Sequence, residues 1–96
     1  MPDYEFKTTF WNDFTIADSF GLSAIKDTFN RSFRDWKDNH IYLTELVLVL
    51  NWKIWQYADE NNDFAELYNS LWQKTDAYAI EHLKGDELTY FLETLD

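Results

Sequence analysis

Three residues, Pro2, Gly21 and Gly85, are the only strong backbone breakers in a chain of 96 residues. Long stretches without Gly or Pro, carrying apolar residues at a 3.6-residue period, dictate an all-α fold. The expected architecture is a compact bundle of four main helices plus a short C-terminal helix, preceded by a short extended N-terminal arm. Ninety-six residues form one domain spanning 1–96, with a single core. The arm is residues 1–8, where Tyr4, Phe6 and Thr8 alternate with Glu5 and Lys7.

The first helix is expected from about Thr9 to Phe20, with Phe10, Phe14 and Ala17 on one face, Phe20 at its edge and Gly21 as its stop. The second, about Ala24 to Asp38, takes Ser23 as N-cap. Its Ile25, Phe29, Phe33 and Trp36 fall in a stripe about 80° wide. Asp27–Arg31, Arg31–Asp35 and Arg34–Asp38 are spaced for exposed ion pairs one turn apart.

The third helix, about Ile41 to Ala58, contains Leu46-Val47-Leu48-Val49-Leu50, which locally resembles a strand. The apolar segment is too long and unbroken for one, so helix prevails. It then has two apolar sectors. Leu43, Leu46, Val47, Leu50, Ile54 and Tyr57 form one; Ile41, Leu48, Trp52 and Trp55 form the other. A helix apolar on two sides lies in the middle of a bundle or supplies an interface, so Leu48, Trp52 and Trp55 are candidate interface residues. The fourth helix, about Phe64 to Lys84, is capped by Asp63 and stopped by Gly85, and buries Phe64, Leu67, Tyr68, Leu71, Trp72, Tyr78, Ala79 and Leu83. A fifth, capped by Asp86, buries Leu88, Phe91, Leu92 and Leu95.

Charge is the sharpest functional clue. Ten of eighteen carboxylates fall in residues 59–96, against Lys74 and Lys84 alone, and the net charge is −10. Such a chain repels nucleic acid and anionic membrane and attracts basic protein surfaces. Asp59, Glu60, Asp63, Glu66, Asp86, Glu87 and Glu93 are the candidate partner-binding acids. They are either a solvated exterior or a ligand for a basic groove. Asp59 to Glu66 place four charges on roughly 10 Å of helix, where duplex DNA places about six. Mimicry of nucleic acid therefore requires a second acidic segment alongside, for which Asp86, Glu87 and Glu93 are available.

Catalytic and metal chemistry find little support. The two histidines, His40 and His82, have no nucleophile or orienting partner at a suitable spacing. His40 reads as a surface turn residue and His82 as an inward boundary residue. Asp59-Glu60-Asn61-Asn62-Asp63 has the composition of a calcium loop, but Phe64 and Ser70 stand where a central Gly and a bidentate Glu belong. No cysteine offers a disulfide or thiolate site, which fits a reducing cytoplasm. No cofactor, signal peptide or membrane span is expected. Residues 16–38 resemble a helix-turn-helix DNA reader in the spacing of Ala17 and Gly21, with Lys26, Arg34 and Lys37 on one face. Asp27 stands where that motif buries an apolar residue, and Asp35 and Asp38 interrupt the basic face.

The segments Phe10-Trp11-Asn12-Asp13-Phe14-Thr15-Ile16-Ala17-Asp18-Ser19-Phe20-Gly21, Asp27-Thr28-Phe29-Asn30-Arg31, Tyr42-Leu43-Thr44-Glu45-Leu46-Val47, Leu50-Asn51-Trp52-Lys53-Ile54-Trp55 and Leu83-Lys84-Gly85-Asp86-Glu87 cover most of the chain. Together they resemble small acidic proteins encoded on conjugative transposons and related mobile elements of gut Firmicutes. The resemblance implies a bacterial cytoplasmic setting and an element-maintenance or anti-defence role, and carries no activity or catalytic residue. The expectation is a non-enzymatic protein, monomeric or weakly homodimeric, that binds a basic, nucleic-acid-binding protein through its acidic C-terminal surface. The alternatives are a helix-turn-helix-like regulator using residues 16–38 and a structural dimerisation module.

Overall fold

Gly21 organises the first corner of the molecule. In the computed structural model, which describes the backbone of residues 3–95 and the side chains of residues 11–94, it joins α1 (Asp3–Phe20) to α2 (Leu22–Trp36) as a single linking residue. Its φ of 105° and ψ of −171° are open to glycine alone. Its N–H donates to Ala17 O at 3.1 Å, closing α1, and its carbonyl accepts from Ile25 N at 3.2 Å, opening α2. Ser23 is therefore not the cap of α2: that position belongs to Gly21, with no side-chain cap bond.

Helix α1 begins at Asp3, so the extended arm expected through Thr8 is replaced by helix from Asp3 onward. No Gly or Pro lies between Asp3 and Phe20, and five alternating residues are too few to hold a strand without a partner. Residues 1 and 2 lie outside the described residues, as does the side chain of Phe10.

The remaining helices are α3 (His40–Tyr57), α4 (Asn62–His82) and α5 (Gly85–Leu95). Asparagines cap α3 and α4. Asn39 Oδ1 accepts from Ile41 N at 2.9 Å and Tyr42 N at 3.1 Å. Asn61 Oδ1 accepts from Phe64 N at 3.2 Å, so Asp63 is a first-turn residue of α4 rather than its cap. Asp86 likewise sits inside the first turn of α5, which starts on Gly85 at φ 58°.

Helix α3 is the axis of the bundle, packed by α4, α1 and α5, while α2 packs on α1 and α4. Tyr42, Leu43, Leu46, Val47, Val49 and Leu50 of α3 are fully buried. Against them lie Phe14 and Ala17 of α1, Ile25, Phe29 and Phe33 of α2, Tyr68, Leu71 and Ala79 of α4, and Phe91 of α5. Each large apolar side chain fully removed from water stabilises the fold by about 1.5–3 kcal/mol. Buried threonines satisfy their hydroxyls one turn back: Thr44 Oγ1 donates to His40 O and Thr75 Oγ1 to Leu71 O, both at 2.9 Å. Tyr42 Oη and Ser32 Oγ share a hydrogen bond of 2.9 Å.

Phe20, expected at the edge of the buried face, is 78% exposed, because α1 ends there and α2 turns away at Gly21. Leu92 is exposed on α5 for want of a neighbour on that side. On α2, Arg34 Nε bonds its neighbour Asp35 at 3.1 Å in place of a partner one turn away.

Candidate functional site

Helix α3 is enclosed along its first half and open along its second. Helix α5 packs at the start of α3, where His40 Nδ1 lies 3.1 Å from Glu87 Oε2 and the His40 ring meets Tyr90 edge-on at 6.3 Å. With 11 residues, α5 is about 16 Å long, whereas the 18 residues of α3 span about 27 Å. The second apolar sector of α3 is split. Ile41 packs against the core, while Leu48, Trp52 and Trp55 are 38%, 50% and 73% exposed. The sequence leaves this sector as core or interface; the fold leaves its C-terminal half on the surface.

Helix α1 supplies the third indole. Trp11 approaches Trp52 edge-on, with ring centroids 6.4 Å apart and planes at 66°. Trp52 and Trp55 lie 5.3 Å apart at 31°. Together with Leu48, Ile54 and Ala58, the three indoles line a surface cavity of about 680 Å³. That volume lies within the range typical of ligand sites.

Beside the Trp11–Trp52 pair, on the side away from Trp55, lies a charged network that sequence reasoning missed. Lys53 Nζ donates to Asp18 Oδ2 at 2.7 Å, with the two side chains only 4% and 10% exposed. Tyr57 Oη donates to the same oxygen at 2.7 Å, and Tyr68 Oη donates to Asp18 Oδ1. Asp18 thus ties α1 to α3 and α4 at once. Burial, followed by the Asp18 carboxylate, pushes the Tyr57 hydroxyl up to about 12, and the same causes raise Tyr68. The Tyr57 and Tyr68 rings are stacked 6.2 Å apart and Phe14 meets Tyr68 edge-on at 5.9 Å, which fixes the phenols beneath the carboxylate. The sequence signal was available: Lys53 lies seven residues after Leu46, and Asp18 four after Phe14, each on a buried stripe.

All seven candidate acids are exposed. Asp59, Glu60, Asp63 and Glu66 occupy the α3–α4 turn and the start of α4, immediately beyond Ala58 and the indole cavity. Asp86 and Glu87 lie at the other end of α3, beside His40 and about 26 Å away along the helix. The two acidic clusters do not meet, so they cannot jointly reach the charge density of duplex DNA. Glu93 stands two turns beyond Asp86 on α5.

His82, read from sequence as inward, is exposed and stacks on Tyr78 at 4.1 Å. Helix α4 ends at His82 and the chain turns extended at Leu83, so Leu83 takes the buried position. Helices α1 and α2 are linked by Gly21 alone, shorter than the three-to-four-residue turn of a helix-turn-helix reader. Among the described residues, no group of three or more His, Cys, Asp or Glu is arranged to hold a metal ion, and no helix is long and apolar enough to cross a membrane. Comparison with known protein families, curated proteins and solved structures found no match.

Proposed function

We propose that the chain is a non-enzymatic binding module that seats a basic amphipathic segment of a protein partner on the open half of α3. One observation carries this reading: Trp52 and Trp55 are 50% and 73% exposed on a helix whose other face is fully buried. Large aromatics left in water at such density mark interaction surfaces. The acidic turn supplies the rest. Asp59 and Glu60 lie in the turn directly after Ala58 on the cavity rim, so apolar surface gives way to anionic there. An amphipathic helix laid beside α3 past the reach of α5 would bury the first part and pair with the second. Long-range attraction by a chain of −10 charge would speed the encounter.

The resemblance to mobile-element proteins supports a partner among nucleic-acid-binding proteins, whose basic grooves such a surface fits, in an element-maintenance or anti-defence role. Co-purification from bacterial lysate tests the reading, with the wild-type chain compared with Trp55→Ala and with Asp59→Lys/Glu60→Lys. Partner recovery should fall in both variants and in about 0.5 M salt, where surface charges are screened. A partner retained by both variants would refute it.

A further inference from the structure

Resting on that reading, we infer that the partner's anchoring group is an arginine side chain, its guanidinium held against the indole faces of Trp52 and Trp55. Ring faces are electron-rich, and indole is the strongest of them as a cation acceptor. Elsewhere the protein already uses its rings this way. Lys37 lies over Tyr78 at 5.8 Å, Lys53 over Tyr57 at 6.0 Å, and Lys74 over Phe29 and Phe33 at 5.5 and 5.6 Å. Among the described residues, no such cation lies over Trp11, Trp52 or Trp55, although these indoles stand next to the acidic turn. Trp52 and Trp55 thus present exposed indole, with Trp11 partly buried beside them, next to the carboxylates of the turn.

Two simpler occupants fit less well. A purely aliphatic anchor would fill the cavity of about 680 Å³, yet would gain nothing from Asp59 and Glu60 at its margin. A purely ionic contact would use those carboxylates and have no need of three clustered indoles. Guanidinium combines the two requirements: it is flat, weakly hydrated, stacks on aromatic planes and pairs with carboxylates in a fork. The tilt of 31° between Trp52 and Trp55, with Trp11 edge-on to Trp52, presents ring surface at more than one angle around the cavity. The stem of an arginine would approach from the Leu48 side, with its head against the indoles and facing the acidic turn. A second copy of the chain is disfavoured as occupant, because it would bring another −10 charge to the same face.

The test sets N-acetylarginine amide against N-acetylcitrulline amide, which has nearly the same shape and no charge. Indole N–H resonances of the full chain are followed by NMR during each titration. The arginine compound should give saturable shifts at Trp11, Trp52 and Trp55 and bind at least about fivefold more tightly than the citrulline compound. Trp52→Leu should abolish the shifts while leaving the Trp36 and Trp72 resonances in place, and Asp59→Asn/Glu60→Gln should weaken them. Equal response to citrulline, no response of the three indoles, or binding unaffected by Trp52→Leu would overturn the inference. Failure here with a lysate partner still dependent on Trp55 and the acidic turn would remove the arginine anchor and leave the binding module standing. Loss of both dependences would remove the module itself.

Discussion

Replacing Asp18 tests whether the junction of α1, α3 and α4 beside the Trp11–Trp52 pair is held by a buried ion pair. The Asp18 carboxylate accepts from Lys53 and Tyr57 at 2.7 Å each, and from Tyr68. Asp18→Asn keeps the shape and removes the charge. Lys53, with a side chain 4% exposed, then has no counter-charge. Breaking one half of a buried pair costs about 3–5 kcal/mol, because the surviving charge stays out of water. Asp18→Ala also strips the acceptor from the buried Tyr68 hydroxyl and should cost about 1 kcal/mol more. A domain of 96 residues has roughly 5–14 kcal/mol in total. Either variant should therefore remove a large share of the stability.

Urea denaturation followed by tryptophan fluorescence and far-ultraviolet circular dichroism measures the loss. Lys53→Met completes the cycle. The double variant Asp18→Asn/Lys53→Met carries no buried charge and should be more stable than Asp18→Asn alone, giving a coupling of about 2–3 kcal/mol. Because Asp18 joins three helices and shares a groove with Trp11 and Trp52, the single variant should also broaden the indole signals of that pair. A loss under about 1 kcal/mol for Asp18→Asn, or single effects that simply add in the double variant, would refute the buried-pair reasoning.

Three further outcomes follow from the same geometry. Trp55→Ala should change stability by no more than about 0.5 kcal/mol, whereas Leu46→Ala, fully buried on the same helix, should cost about 2–5 kcal/mol; urea midpoints distinguish them. Gly21→Ala should cost about 1–3 kcal/mol in thermal melts, since its φ of 105° strains any residue with a Cβ even though space around it is open. Alkaline unfolding should set in above pH 10.0, the ordinary tyrosine value: folding raises Tyr57 to about 12 and Tyr42 and Tyr68 upward as well. Groups that keep their protons only when folded stabilise the fold below pH 10.0, and that stability is lost as pH climbs toward 12. Tyrosinate absorbance should then rise together with loss of helix, and independent titration of all six tyrosines before unfolding would contradict this.

The helices were legible because their signals are local. Gly21 and Gly85 mark corners, and the stripe of Ile25, Phe29 and Phe33 is buried as its spacing dictates. The caps were less so, since Asn61 and Asp63 are both good cap residues two positions apart, and only the chain's exit from Tyr57 selects Asn61. Trp52 and Trp55 were visible as a second apolar sector, but whether a neighbour covers them depends on how helices far apart in sequence pack. The Asp18–Lys53 pair spans 35 residues, and either residue alone looks like ordinary surface charge. Only reading both as members of buried stripes exposes the pair.

The charge tilt takes on a different meaning once placed in space. As a property of the last 38 residues it suggests one acidic surface, and the fold divides it between the two ends of α3. The His40 end has its own contact: Glu87 faces His40 at 3.1 Å and helps seat α5. At the other end, Asp59, Glu60 and Asp63 have no basic side chain within ion-pair distance among the described residues. Asp59 and Glu60 follow Ala58 on the rim of the indole cavity, whereas Asp63 lines a groove with Leu22 and Lys26 of α2. An acidic exterior serving solubility alone would gain nothing from this coincidence, since charge disperses chains best when spread and exposed tryptophan works against it. Asp59 and Glu60 directly after the helix that carries Trp52 and Trp55, 50% and 73% exposed, are the pairing on which the proposed cationic, partly apolar partner segment rests.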